Sequence, residues 1–193
     1  MRHPGLLLVL AGPSGVGKGT VVRRLLDVVD GAQLSRSMTT RSPRPAEVDG
    51  VDYDFVGDLD FQARVDEGAF LEHASYAGNR YGTPAGPVLE AVANGKVVIL
   101  EIEVQGALQV RAAAPGAMLV FVSPPTEDEW ERRLRARGTE DEATIARRLA
   151  VGYDELDQRH QFDYTVVNDD LDRCVAEVAG LVRAAQALAA RAQ

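Results

Sequence analysis

A chain of 193 residues with 46% hydrophobic and 26% charged residues has the composition of an ordinary folded domain and is long enough for one real core. Its net charge of −8 argues against a nucleic-acid groove, but not against a nucleotide site, which needs only a local cluster of Arg and Lys. The single cysteine, Cys174, excludes an internal disulfide and suits a reducing compartment; with no early apolar run long enough for a signal peptide or a membrane span, the expected location is the cytoplasm.

The apolar run Leu6 to Ala11 predicts a buried strand, and it leads directly into Gly12-Pro13-Ser14-Gly15-Val16-Gly17-Lys18-Gly19-Thr20. Leu25, Leu26 and Val29 then fall at helical spacing from Val21 and Val22, so a helix is expected to start near Lys18. Strand, glycine loop and helix in this order make a phosphate cradle. The glycines let backbone N–H groups approach an anion, the helix adds the positive end of its dipole, and Lys18 adds a mobile cation for the outer phosphates. A Ser or Thr hydroxyl that holds Mg²⁺ usually follows the lysine; here Gly19 does, with Thr20 one place late. Gly-Lys-Gly-Thr endings resemble those of adenylate kinases, which keeps the variant within nucleotide kinases.

Further parallel strands are predicted at Gln33 to Ser37, Val97 to Ile102, Met118 to Val122 and Tyr164 to Val167, with helices after most of them, the pattern of a parallel α/β sheet. Thr126 with Glu129, and Thr139 with Glu142, read as capping boxes that open two helices. Asp169 or Asp170 caps the last helix, which runs through Leu171, Val175, Val178, Leu181 and Val182 and ends in an Ala-rich stretch. Two segments break the rhythm. Residues 38–95 carry turns and short strands, including Phe70 to Tyr76 and Tyr81 to Thr83 around Gly78-Asn79, and are expected to form a β-rich insertion. Residues 136–147, dense in Arg and Glu around Gly138, are a lid candidate. The core is then 1–37, 96–135 and 148–193.

The insertion holds the densest polar chemistry. Arg41 and Arg44 stand three apart in a segment that Pro43 and Pro45 keep from becoming an ordinary helix, and guanidinium forks on a stiff loop suit a phosphate. Taken alone, such a pair is more often a solvated surface, and Tyr53 and Tyr81 are as ambiguous, since tyrosines commonly fill a core edge.

Several motifs together carry a resemblance: Gly12 to Thr20, the Ser-x-Thr-Thr-Arg-x-Pro-Arg run from Ser37 to Arg44, Asp49 to Phe55, Phe70-Leu71-Glu72-His73-Ala74, Asn79-Arg80-Tyr81-Gly82-Thr83, Glu101-Ile102-Glu103-Val104-Gln105-Gly106 and Val167-Asn168-Asp169-Asp170. In that order, and over nearly the whole chain, the sequence resembles the guanylate kinase family. The resemblance implies a P-loop nucleoside monophosphate kinase: a five-stranded parallel sheet flanked by helices, an inserted β-rich GMP-binding subdomain and a lid. It implies that Arg41, Arg44, Tyr53 and Tyr81 grip the GMP phosphate, that Ser37, Glu72 and Thr83 surround the guanine, and that Glu103 also faces the base. It further implies that Gly12, Pro13, Ser14, Gly15, Val16, Gly17, Lys18, Gly19 and Thr20 bind the ATP phosphates, that Asn168 lies near the adenine, and that Arg137 and Arg148 close on the transferring phosphate.

A carboxylate such as Glu72 offers two acceptors to the ring N–H and exocyclic amine of guanine, whereas adenine presents the wrong pattern on that edge. The implied reaction moves the γ-phosphoryl group of Mg-ATP to GMP, with dGMP as a further acceptor, and Lys18, Arg41, Arg137 and Arg148 are its catalytic cations. Glu101 and Glu103 stand where relatives commonly have aspartate, and Thr20 and Glu101 are the residues expected to reach Mg²⁺ through water. A ribose bisphosphate kinase would have no reason to keep Glu72 with Ser37 and Thr83, and a phosphopeptide-binding module of the same fold could lose Lys18 and its glycines. Neither nucleic acid nor membrane is an expected partner.

Overall fold

The computed structural model describes residues 4–76, 78–136 and 141–191. The apolar runs become strands β1 (Leu6–Ala11), β2 (Ala32–Leu34), β7 (Val97–Glu101), β8 (Met118–Ser123) and β9 (Tyr164–Val167), which pair in parallel in the order β2-β7-β1-β8-β9. The register sets Leu10 beside Glu101 and Val122 beside Val166. Successive side chains of β1 point to opposite faces, so the sheet is buried on both. Leu8 and Leu10 pack under α1 (Lys18–Val28) and α7 (Leu171–Arg191) with Val21, Val22, Leu25, Val175 and Val178. Leu7, Val9 and Ala11 face the other side, against α3 (Ala85–Ala93), α4 (Val104–Ala113), α5 (Glu127–Arg135) and α6 (Glu142–Asp157), through Val88, Val104, Trp130 and Leu149. A 3₁₀ turn at Gln158–Gln161 joins α6 to β9.

A second sheet, in the order β4-β3-β6-β5, is built from β3 (Ser37–Thr39), β4 (Tyr53–Phe55), β5 (Phe70–Tyr76) and β6 (Asn79–Pro84). Helix α2 (Asp58–Asp66) covers it by stacking Phe61 on Phe70, with ring centroids 4.7 Å apart. The single strand expected over Gln33 to Ser37 is instead two. Ser35 donates the last core-sheet bond, to the Ile99 carbonyl at 2.8 Å, and Arg36 then pairs with Asp54 of β4 at 2.8 Å and donates to the Gly50 carbonyl. The side chain that would continue the strand is thus held by the other sheet, and the chain crosses there.

Two more expectations change. The stretch 38–95 is not one unit, because the second sheet spans 37–84 while α3 packs on the core sheet through the buried Val88. Thr139 lies outside the described residues, and Asp141 caps α6 by accepting from the Thr144 N–H at 2.7 Å, with Glu142 as the first helical residue. The expected lid at 136–147 therefore includes the first turns of α6. Thr126 does cap α5, accepting from the Glu129 N–H at 3.2 Å, and Asp170 opens α7 by accepting from the Arg173 N–H at 2.9 Å.

Candidate active site

The loop between β1 and α1 closes on a cavity of about 290 Å³ lined by Ser14, Gly15, Gly17, Lys18, Gly19, Thr20, Arg23 and Glu101. Two of its glycines are fixed by both conformation and space. Gly12 has φ 143° and Gly17 φ 101°, and a Cβ on them would lie 2.3 Å from the Val122 oxygen and 2.6 Å from the Asn168 amide nitrogen. No side chain caps the first turn of α1, and no acidic residue stands in it, so the positive end of its dipole faces the cavity, whose lining includes the Glu101 carboxylate. The Lys18 ammonium folds back on the loop, donating to the carbonyls of Gly12 at 2.5 Å and Pro13 at 3.3 Å. Thr20 accepts from Arg23 at 3.1 Å.

The loop is braced from outside. The buried Asn168, at the end of β9, donates to the Val16 carbonyl at 2.8 Å. The Trp130 indole donates to the Ser14 carbonyl at 2.8 Å and packs against Gly152 of α6. Asn168 was expected near an adenine; here its amide is engaged beneath the loop backbone.

A second cavity, of about 250 Å³, lies between the two sheets, and Glu101 lines it as well. Ser37, Tyr53, Glu72, Tyr81 and Glu103 reach it from β3, β4, β5, β6 and the start of α4. Glu72 is 7% exposed and accepts from the fully buried Thr83 hydroxyl at 2.6 Å, across a β5/β6 register that sets the two residues opposite each other. Burial pushes the Glu72 carboxyl above its ordinary range; the Thr83 hydroxyl and N–H pull it back, and nearby Glu103 raises it further. Gly106 makes room for it, since a Cβ there would sit 3.0 Å from Glu72 Oε2.

At the rim, the Arg41 guanidinium lies over the rings of Tyr53 and Phe55 at 5.5 and 5.7 Å, and the Tyr53 and Tyr81 rings meet edge-on at 6.3 Å. Arg41 forks onto Glu47 with two bonds of 2.9 Å, and Glu47 also accepts from the Arg44 N–H at 2.8 Å. The bond from Arg41 holds the Glu47 carboxyl below its ordinary range. The Arg44 side chain stays largely exposed, 3.8 Å from Glu47.

A third cavity, about 480 Å³, shares Ser14 with the first and Tyr76 and Glu103 with the second; Arg147, Arg148 and Glu155 of α6 line it. Arg137 lies outside the described residues. Glu155 is buried by α6 and accepts from the Val104 N–H, at 3.4 Å, at the start of α4. Burial pushes its carboxyl up to about 7; Lys18 and the Val104 N–H oppose the shift, and Glu103 adds to it.

Of the expected residues, Ser14, Gly15, Gly17, Lys18, Gly19 and Thr20 line the first cavity, Ser37, Tyr53, Glu72, Tyr81 and Glu103 the second, and Arg148 the third, while Thr83 lies buried behind Glu72, Arg41 stands over Tyr53, and Arg44 is exposed. Glu47, Gly106, Trp130 and Glu155 were missed. Glu47 alone left a legible signal, since it stands three residues after Arg44 and six after Arg41; the others act through partners distant in sequence.

A family model for guanylate kinase matches residues 5–185. A guanylate kinase of Synechococcus elongatus is 52% identical over 171 residues, covering 89% of this chain and 93% of that protein. One of Rubrobacter xylanophilus is 48% identical over 179 residues, covering 93% and 94%. Among solved structures, guanylate kinase from Anaplasma phagocytophilum superposes with a TM-score of 0.75 at 30% identity, covering 96% of this chain and 88% of that one. A gluconokinase from Sinorhizobium meliloti shares the fold alone, with a TM-score of 0.53 at 20% identity.

Proposed function

The chain belongs to the guanylate kinase family, and we propose that it transfers the γ-phosphoryl group of ATP to GMP, giving ADP and GDP. The observation that carries this reading is the meeting of two unlike cavities at Glu101: one ringed by backbone N–H groups and Lys18, the other holding the buried Glu72–Thr83 pair. The first suits the phosphates of the donor, and the second suits a purine that offers two N–H donors.

GMP lies with its guanine against Ser37, Glu72, Thr83 and Glu103 and its phosphate against Arg41, Arg44, Tyr53 and Tyr81. A phosphate acceptor with a second pKa near ~6 is already largely ionised at neutral pH, so no general base is needed. The chemistry instead needs two strongly negative groups held in line, with cations to offset their repulsion. Lys18 swings from the Gly12 and Pro13 carbonyls onto the donor phosphates, and Arg148 approaches from the α6 side. The second sheet and the start of α6 move inward to exclude water, which would otherwise accept the phosphoryl group.

The Thr20 hydroxyl and the Glu101 carboxylate are oxygen donors on the phosphate cavity, a set that fits a hard cation, and they are the residues that would hold Mg²⁺. When bound, Mg²⁺ neutralises charge on the donor phosphates. No described helix is long and apolar enough to cross a membrane. Cysteine usage and the nucleotide substrates support a cytoplasmic role in purine nucleotide metabolism, with dGMP as a second acceptor.

The test is to incubate the protein with Mg-ATP and each nucleoside monophosphate in turn. Turnover with GMP, and little with AMP, CMP or UMP, is expected. No turnover, or a preference for AMP, would overturn the reading.

A further inference from the structure

β5 is the outer strand of the second sheet, yet its open edge is taken at His73. The His73 N–H donates to Oε1 of Gln109 at 3.0 Å, and the His73 carbonyl accepts from Nε2 of the same side chain at 3.1 Å. One glutamine amide thus makes both bonds that a further strand would have made there. Gln109 belongs to α4, three residues beyond Gly106 and on the same side of that helix. Gly106 is where α4 backs the Glu72 carboxylate, with room for a Cβ only 3.0 Å from Oε2. The residue that is clasped and the residue that is backed are therefore neighbours on β5.

The β5/β6 register shifts between Phe70 and Glu72, so the ladder is irregular immediately before the carboxylate and does not by itself fix how far Glu72 projects. The Thr83 hydroxyl holds only Oε1. Helix α4, by contrast, is anchored to the core at both ends. Glu155 accepts from the Val104 N–H at its start, and Arg111 near its end pairs with Asp163 at 2.8 Å and donates to the Gln161 carbonyl at 3.0 Å. Gln109 carries that anchorage across to β5.

We propose, resting on the kinase reading above, that Gln109 is a positioning residue for base selection: its clasp on His73 sets Glu72 against Gly106 so that the carboxylate meets the ring N–H and the exocyclic amine of guanine together. Hydrogen bonds tolerate only a narrow range of distance, so a displacement on the order of 0.5 Å weakens one of the two bonds. A purine without the exocyclic amine asks only for the ring N–H and is less sensitive to the same shift. Gln109 thereby governs the preference for guanine over hypoxanthine from outside the cavity lining. Movement of the second sheet turns about this tie rather than breaking it.

The test uses the full chain and Gln109→Met, which keeps the length and helix preference of glutamine but has no amide. GMP and IMP, which differ only in the exocyclic amine, are titrated calorimetrically. The unaltered protein is expected to bind GMP about tenfold or more tightly than IMP; in the variant that preference should shrink to within about threefold, through weaker GMP binding and with ATP binding unchanged. Hydrogen exchange at the His73 N–H should quicken by about tenfold or more. A merely structural loss would lower the folded fraction for both nucleotides alike and leave their ratio intact. Gln109→Glu keeps the acceptor for the His73 N–H but sets a charged oxygen against its carbonyl, and should lose the preference too. A retained preference in Gln109→Met overturns the proposal, as does a lost preference with the His73 N–H still protected, or no preference in the unaltered protein. GMP turnover is scored separately. If turnover is present but Gln109→Met still prefers GMP, the inference falls and the kinase reading stands. If the binding pattern is as expected but GMP is not phosphorylated, the kinase reading falls alone.

Discussion

The side-chain amide of Asn168 donates to the backbone carbonyl of Val16 at 2.8 Å, so the end of β9 is tied to the middle of the phosphate loop. The bond is buried, and no room exists for a side chain at Gly17 beside it. Replacing Asn168 with Ala strands the Val16 carbonyl and frees the loop, at a cost of about 1–3 kcal/mol. The expected result is a lower denaturant midpoint together with a raised KM for ATP and an unchanged KM for GMP. Equal changes in both KM values would show that the bond does not act through the loop.

Lys18 carries the cation of the same loop. Lys18→Met is expected to lower kcat by orders of magnitude while GMP, titrated calorimetrically, binds as before, because only the donor phosphates lose a charge. A kcat within a few-fold of the unaltered protein would remove Lys18 from the chemistry.

Glu72 gives a pH signature. Its ionised form supplies the acceptors for guanine, and burial raises its folded pKa. Affinity should therefore fall with acidification at a higher pH than an ordinary carboxylate would require. Guanosine is the right probe, since it lacks a titrating phosphate. Glu72→Gln should bind guanosine weakly and without this pH dependence; retention of the same acid limb would place the titration on another group.

Glu155 predicts a stability effect of definite sign. Its folded pKa, about 7, lies above the ordinary 4.5, so between these values the folded chain keeps a proton that the unfolded chain releases. Stability contributed by Glu155 is complete below about pH 4.5 and declines as pH rises toward about 7, by up to about 1.4 kcal/mol for each pH unit of separation. Glu155→Gln keeps an acceptor for the Val104 N–H without the charge. Urea unfolding from pH 5 to 8 should show the variant gaining on the unaltered protein as pH rises. Parallel curves would rule out Glu155 as the source.

Gly152 tests the brace on the loop. A Cβ there would lie 2.3 and 2.4 Å from ring carbons of Trp130 and 3.2 Å from Pro13. Gly152→Ala should destabilise the chain by about 1–3 kcal/mol, despite the better helix propensity of alanine, because α6 must move away from the indole. A variant as stable as the parent would mean that the helix gives way freely.

Much was legible from the sequence because it is local. The apolar run before Gly12, the glycine loop and the helical spacing after Lys18 specify strand, turn and helix within a few dozen residues. Thr126 marks the start of α5 through a bond that spans only three positions. What lay beyond the sequence depends on which distant segments meet. A continuous strand pattern at 33–37 carries no sign that Arg36 will be captured by Asp54. Nor does a glycine after a lysine show that a glutamate on another strand will stand beside it. Glu155 reads as one more polar helix residue until α6 presses it against the start of α4, where desolvation changes its charge behaviour. Backbone preference and hydrophobic period act over one or two turns and are written in the chain. Burial, charge pairing and the shape left by a missing side chain arise only when the sheet sets its strands side by side.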